Sequence, residues 1–598
     1  MFRPILVLLF AAGIISCQEV EQSSYPDWVP ISKNEAVLEM RDLQDNFLFN
    51  AQVIDVKNFH RSAYSFNSGA KLVNLRTNPK SRSLDIYMGR DKLISFQTTE
   101  SGRVVNFATA QPTLKFKEHI NRMGGAYSGG TNWIATQQTP RVENITQTND
   151  MAIIDVTYFV QQSVFSRKVW RNIGKSGSVT IRYSLVRQQS LDTIKNNNRT
   201  AQQGYNNEIG YFTADGGYKN YNLSIRRFNI DNGKKITFHL KDFPEEFMET
   251  AKQAVLSWNE AFGDEVIEVA TADTNIDVGD PRYNVIRWIR DGDGSIGWAG
   301  TAGPTLSDPK TGTIYSGGVF INGDYLVNAY SKIHATSQLV FKSLDGIKLK
   351  NDAAETPVLP IFTKPTDFDN YIQGYYYGTI VHEVGHVLGL MHNFKGSINP
   401  ISVDGEERFS NSIMEYLPKK ERSSFNNPGL YDFQAIRWGY YGEMPQYDFD
   451  FCTHGYREDD YNCLKGDAGD PIAYTVEGIQ NTATVLNNLE NKELGNYGYG
   501  DLVSQISNAI HIFQALPEGS YNYDQISEAI SPLCKLAPSD HLGAYERAST
   551  YLNITKARDK MWTSIKMKKE SRDKYIEGQW HYLSTCFEGA KDLRKAAH

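Results

Sequence analysis

The chain has 598 residues, too many for one hydrophobic core, so it must divide into several domains. Its ordinary apolar and charged fractions, with abundant aromatic residues, exclude a largely disordered polymer. A net charge of −7 over this length, with no long block of like charge, argues against nucleic acid as a partner.

The first residues read as an address. Met1-Phe2-Arg3 carries one positive charge, and Ile5 to Ile15 is an almost unbroken apolar run. That run is too short to span a bilayer and fits the hydrophobic region of a signal peptide. It ends at Ile14-Ile15-Ser16-Cys17, similar to a bacterial lipobox in which the cysteine becomes the lipidated N-terminus. A plain secretory signal containing a cysteine is the alternative. Several acyl chains on Cys17 would anchor the protein to a membrane. Gln18, standing where Asp would resemble an inner-membrane retention signal, points to the outer membrane. No other stretch is apolar for long enough to suggest a transmembrane helix. After Cys17 the next cysteines are Cys452, Cys463, Cys534 and Cys586. Close spacing favours Cys452–Cys463 and leaves Cys534–Cys586, as an oxidising compartment would allow. Four buried thiols are the alternative, and the absence of a C-x-x-C spacing disfavours a cysteine zinc site.

Three textures follow, predicting an α+β multidomain chain with a signal segment 1–17, a β-rich domain 18–228, a central domain 229–445 and a helical domain 446–598. In the first, Phe47–Ile54, Ser83–Tyr87, Ala152–Val160 and Val179–Val186 alternate like strands between Asn-, Gly- and Ser-rich turns, predicting a sandwich or half-barrel. The polar stretch Gln188–Asn207 reads as a long loop or linker. In the second, Ile236–Leu240 and Asn284–Ile289 are predicted strands, with a third over Gly317–Asn322. Phe247, Ala251, Val255, Trp258 and Phe262 recur at helical spacing, with Gly263 as the expected C-cap. A further helix is predicted over Tyr371–Leu390. In the third, Leu502–Ala515, Tyr523–Leu533 and Ala544–Trp580 carry apolar residues at helical intervals and no motif that suggests chemistry.

One constellation carries chemistry. The segment His382-Glu383-Val384-Gly385-His386-Val387-Leu388-Gly389-Leu390-Met391-His392 holds three of the chain's 12 histidines within one short stretch. On a helix His382 and His386 share a face and can present two imidazoles to one ion. Gly389 can end the helix in a left-handed turn and bring His392 round as a third ligand. A catalytic zinc needs that third ligand and an open fourth position. Glu383 is placed to take a proton from the attacking water.

This pattern resembles the metzincins, whose third histidine is followed by a Met-turn; Ser412-Ile413-Met414-Glu415-Tyr416 stands downstream. The resemblance implies one catalytic Zn2+, Met414 as an apolar floor under the imidazoles, and Tyr416 beside the metal, hydrogen-bonding the tetrahedral intermediate as in astacin-like enzymes. Asp308–Ile314, Tyr431–Tyr440 and Ile209–Phe212 are similar to stretches of a bacterial metzincin-like family with large β-rich N-terminal extensions. It implies a twisted mixed sheet backed by helices, with Gly317–Asn322 as the cleft's upper-rim strand and a peptide or protein as substrate. No cysteine precedes the central domain in the mature chain, so a cysteine switch is excluded, and no F-x-G-D segment is found for an aspartate switch. The N-terminal domain is then an inhibitory prodomain, a substrate holder or a support. Two other functions stay open: a lipid-anchored surface binding or adhesion protein with a non-catalytic zinc, and a cell-wall amidase. Ca2+ at Asp291-Gly-Asp-Gly294 is weighed against a surface turn, which fits better.

Overall fold

The computed structural model describes residues between 29 and 325 and between 365 and 453, with shorter interruptions inside both ranges. The signal segment with Cys17, the Asp291–Gly294 turn, Cys463, Cys534, Cys586 and the expected C-terminal helices lie outside the described residues. Among the described residues no helix is long and apolar enough to cross a membrane.

Eleven antiparallel strands between Val29 and Arg187 are joined edge to edge into one sheet, not divided between two. Period-two alternation sorts their side chains. Along Phe47–Lys57, Phe47, Phe49, Ala51 and Val53 enter the large core while Leu48 enters a small one on the other face. The long hairpin Met151–Ser166 and Val169–Arg187 carries a buried polar pair, Arg182 donating from Nε and Nη2 to the Asp155 carboxylate at 2.8 Å each. Such a pair tolerates burial because each charge meets its partner in fork geometry.

The described residues of Gln188–Asn207 form a long loop with a short helix, as a loop reading expects, but the loop is tied to the central unit and does not act as a linker. Its amides serve as ties: Asn197 Nδ2 donates to the carbonyls of Ile225 (2.8 Å) and Thr311 (2.7 Å). Thr200 and Gln203 form a reciprocal capping box that starts the short helix Ala201–Tyr205. From here to residue 228 the chain pairs with the central unit rather than the large sheet, through Tyr211 with Leu390 and Arg227 with Thr313.

The central unit is built on a five-stranded sheet in the order Ile267–Thr271, Ile236–Lys241, Asn284–Ile289, Gly318–Asn322 and Gly300–Ala302. The first four are parallel, and the last runs antiparallel at the edge. The predicted strand at Gly317–Asn322 is therefore internal, and the upper rim belongs to Gly300–Ala302, a three-residue strand too short and Gly-rich to show a strand pattern. The predicted amphipathic run forms helices Glu245–Leu256 and Trp258–Phe262, ended by Gly263 in the left-handed region. The predicted helix at Tyr371–Leu390 forms over Pro365–Val387.

Both faces of this sheet are covered, because residues alternate in destination. Ile286, Trp288, Val319 and Ile321 pack with the helices, whereas Val285, Ile289 and Phe320 join the core of the eleven-stranded sheet. Tyr64, on the connection between strands Phe47–Lys57 and Lys71–Asn78, meets Phe320 with ring centroids 5.0 Å apart. Polar ties reinforce the junction: Arg287 Nη1 donates to the Ile54 carbonyl (2.6 Å) and Ser184 Oγ to the Gly279 carbonyl (2.7 Å). The N-terminal sheet is thus a second wall of the central core. Truncation to 229–598 is expected to expose that apolar face and give insoluble or dye-binding protein, checked by solubility and ANS fluorescence. Phe320→Ala in the full chain should cost about 3–5 kcal/mol by denaturant titration.

Candidate metal centre

The helix Pro365–Val387 enters the core through Tyr376, Ile380, Val381, Val384 and Val387, all nearly solvent-free. Trp258 Nε1 donates to the Val381 carbonyl at 3.0 Å, pinning the helix from behind. Gly385 packs so closely on the Met414 thioether and the Trp258 ring that any Cβ there would overlap them. Met414, fully buried, therefore lies against the helix turn that carries the first two histidines.

The helix then stops. Gly389 has φ +104°, and a Cβ would also strike the Arg226 carbonyl, so a side chain is excluded twice. The reversal brings His392 beside the other two. Possible ligand atoms of His382, His386 and His392 all lie within 4.8 Å of one another, with Nε2 of His386 and His392 3.0 Å apart.

Hydrogen bonds fix which nitrogens face the centre. His382 Nδ1 lies 2.6 Å from the Ile413 carbonyl and His386 Nδ1 2.8 Å from that of Leu390. A carbonyl only accepts, so both Nδ1 atoms carry the proton and both Nε2 atoms keep a lone pair. Neutral imidazoles converging without a thiolate or carboxylate suit zinc with one position left open. The residues present fit that ion.

Glu383 stands outside this ligand triad. Its Oε2 accepts the Ala302 N–H at 2.6 Å, which ties the edge strand to the helix. Tyr416 packs its ring against His392 (centroids 4.3 Å) and His382 (5.7 Å), so the downstream tyrosine does reach the centre. Cys452 is buried against Phe394, just beyond the third histidine.

Several supporting residues escaped sequence reasoning. Asp432, fully buried, accepts from Ser412 Oγ, the Ile413 N–H and the Gly429 N–H, each at 2.7 Å. It thereby holds the Met-turn and caps the helix Leu430–Ile436. Glu415, also solvent-free, accepts from Ser397 Oγ (2.7 Å) and Ser410 Oγ (2.8 Å). Asn393 donates its backbone N–H to the Met414 carbonyl (3.2 Å) and its Nδ2 to the Asp450 carbonyl (3.1 Å). The only signal for Asp432 was its place in a family-like stretch; Glu415 and Asn393 gave none, since a lone polar residue looks like surface.

Because Ile413 both accepts from His382 and donates to Asp432, damage at Asp432 should reach the metal. Asp432→Ala is expected to weaken zinc about 10–100-fold, read by competition with a chromogenic chelator. The strandlike rim should survive, so far-UV circular dichroism of the variant should stay close to wild type.

The chain matches no curated protein and no solved structure. Residues 365–448, which hold the three histidines, the Met-turn and the helix that braces it, match the family described as Met-zincin.

Proposed function

We propose that the protein is a zinc-dependent endopeptidase that cleaves peptides or proteins outside the cytoplasm. The observation that carries this reading is the convergence of three imidazoles, two of them with tautomers set by backbone carbonyls, with Glu383 next to His382 in the chain but not among the ligands. His382, His386 and His392 would hold the metal through Nε2. The ion, when bound, supplies a Lewis acid for the scissile carbonyl and makes a water acidic enough to attack near neutral pH.

Glu383 takes the proton of the attacking water and passes it to the leaving amine. It is suited to this because its carboxylate is mostly enclosed yet has one oxygen fixed by the Ala302 N–H, which orients the other. The Gly300–Ala302 edge strand offers backbone groups along which an extended substrate can lie. Tyr416 supplies a phenol beside the ligands to stabilise the oxyanion. The apolar run ending at Cys17 supports delivery across the inner membrane and a lipid anchor at the outer membrane.

Two outcomes test this. Purified full-length protein should carry about one zinc per chain by atomic emission, as expected for a mononuclear site. Glu383→Ala should keep that zinc and lose cleavage of casein and of a quenched peptide library, whereas a binding protein would show no cleavage in either form. Tyr416→Phe should lower kcat about 10²-fold with KM little changed, as expected when a group acts only in the transition state.

A further inference from the structure

Among the described residues, no carboxylate forms an ion pair with Arg226. Two other enclosed arginines face carboxylates, Arg182 with Asp155 and Arg287 with Asp242 and Asp277, while Arg227 next in sequence reaches only the neutral Asn197 Oδ1 at 3.4 Å. Arg226 instead makes one hydrogen bond among the described residues, from Nη1 to the neutral Thr305 hydroxyl at 2.9 Å. Its Nε is sealed from solvent and has no partner. Burial pulls the guanidinium down to about 10, only partly opposed by Asp215. Asp215 is exposed and is itself held by Thr213 Oγ1 at 2.6 Å. A half-open, uncompensated guanidinium is costly to keep, and a structural role would be served as well by a neutral side chain.

Its position explains the cost. Thr213 pairs with Ile225 in an antiparallel bridge, with the Arg226 N–H donating to the Phe212 carbonyl at 2.8 Å. Phe212 and Arg226 are therefore opposite each other, and opposite residues of an antiparallel pair project to the same face. On that face Phe212 meets the His386 ring, centroids 5.8 Å apart. Across from it, the Phe212 N–H donates to the Gly389 carbonyl, at the turn between the second and third ligands. Thr305, at the other end of the arginine, stands three positions after Ala302, the edge-strand residue that holds Glu383, and just before the strand Leu306–Ser307. The guanidinium thus runs from the Phe212 side of the histidines toward Thr305.

We propose that Arg226 is a specificity-determining residue of the cleft, binding a carboxylate of the substrate peptide beside the Phe212 ring. The inference rests on the peptidase reading and refines it. A planar guanidinium with free donors grips a carboxylate in fork geometry, which a water or a carboxamide does not match. An acidic side chain and a free C-terminal carboxylate present the same chemistry, and the assay separates them.

The test uses the full chain with two series of quenched peptides. One places Asp or Glu against Asn or Gln at each position around the scissile bond; the other compares a free C-terminus with its amide. Wild type is expected to prefer the carboxylate in one series by about tenfold or more in kcat/KM, the scale of a buried charged hydrogen bond. Arg226→Gln should bring that ratio close to unity, and Arg226→Lys should leave an intermediate ratio. A preference at internal positions identifies an acidic side chain, and one confined to the terminus identifies the C-terminal carboxylate. Wild-type cleavage with no preference in either series overturns the inference and leaves the peptidase reading intact, as does a preference that Arg226→Gln retains. Zinc-loaded wild type that cleaves nothing overturns both. If Arg226→Gln fails to fold, the wild-type ratios and Arg226→Lys still decide.

Discussion

Three imidazole lone pairs do not converge unaided. Two Nε2 atoms 3.0 Å apart repel unless a cation or a proton stands between them, so the fold must brace the rings, and it holds the two on the helix by their far sides. It does so with backbone carbonyls, one from the Met-turn and one from the turn that ends the helix. Those carbonyls are in turn immobilised: Asp432 grips the Met-turn from beneath, and the Tyr211–Leu390 bridge grips the helix end. Every other arrangement at the centre follows from this need to oppose repulsion before any metal arrives.

The same requirement explains why the central sheet is closed on both sides. A site held to sub-ångström tolerance needs neighbours that cannot shift, and close packing provides them. The helices supply one wall through Trp258 and the row of small and branched residues on the His-bearing helix. The eleven-stranded sheet and its Tyr64 connection supply the other, Tyr64 meeting Phe320 of the central sheet and the Ile54 carbonyl receiving its Arg287.

Much of this was legible from residue order, and the failures have physical causes. The alternation in Asn284–Ile289 and the helical repeat from Phe247 to Phe262 reported themselves because each buries a continuous face. The histidine spacing and Gly389 were readable because helix geometry and a positive φ leave few alternatives. The rim strand Gly300–Ala302 was not, since three residues cannot display a period. Gln188–Asn207 misled because side-chain amides in a loop and side-chain amides tying two segments have one composition. Asp432 and Arg226 were invisible as individuals: their meaning lies in which donors or acceptors they lack or meet in space, and sequence distance hides that.

The third histidine is clasped from the far end of the described chain. The Phe394 N–H donates to the Cys452 carbonyl at 2.9 Å, and the Asn393 side chain spans the same return through Asp450 and Cys452. The clasp therefore does not exist until residue 452 has left the ribosome, some sixty positions after His392 itself. During synthesis the helix with His382 and His386 can form first, and the contacts that fix the chain after His392 come later, in an order set by the position of Asp450 and Cys452 in the chain.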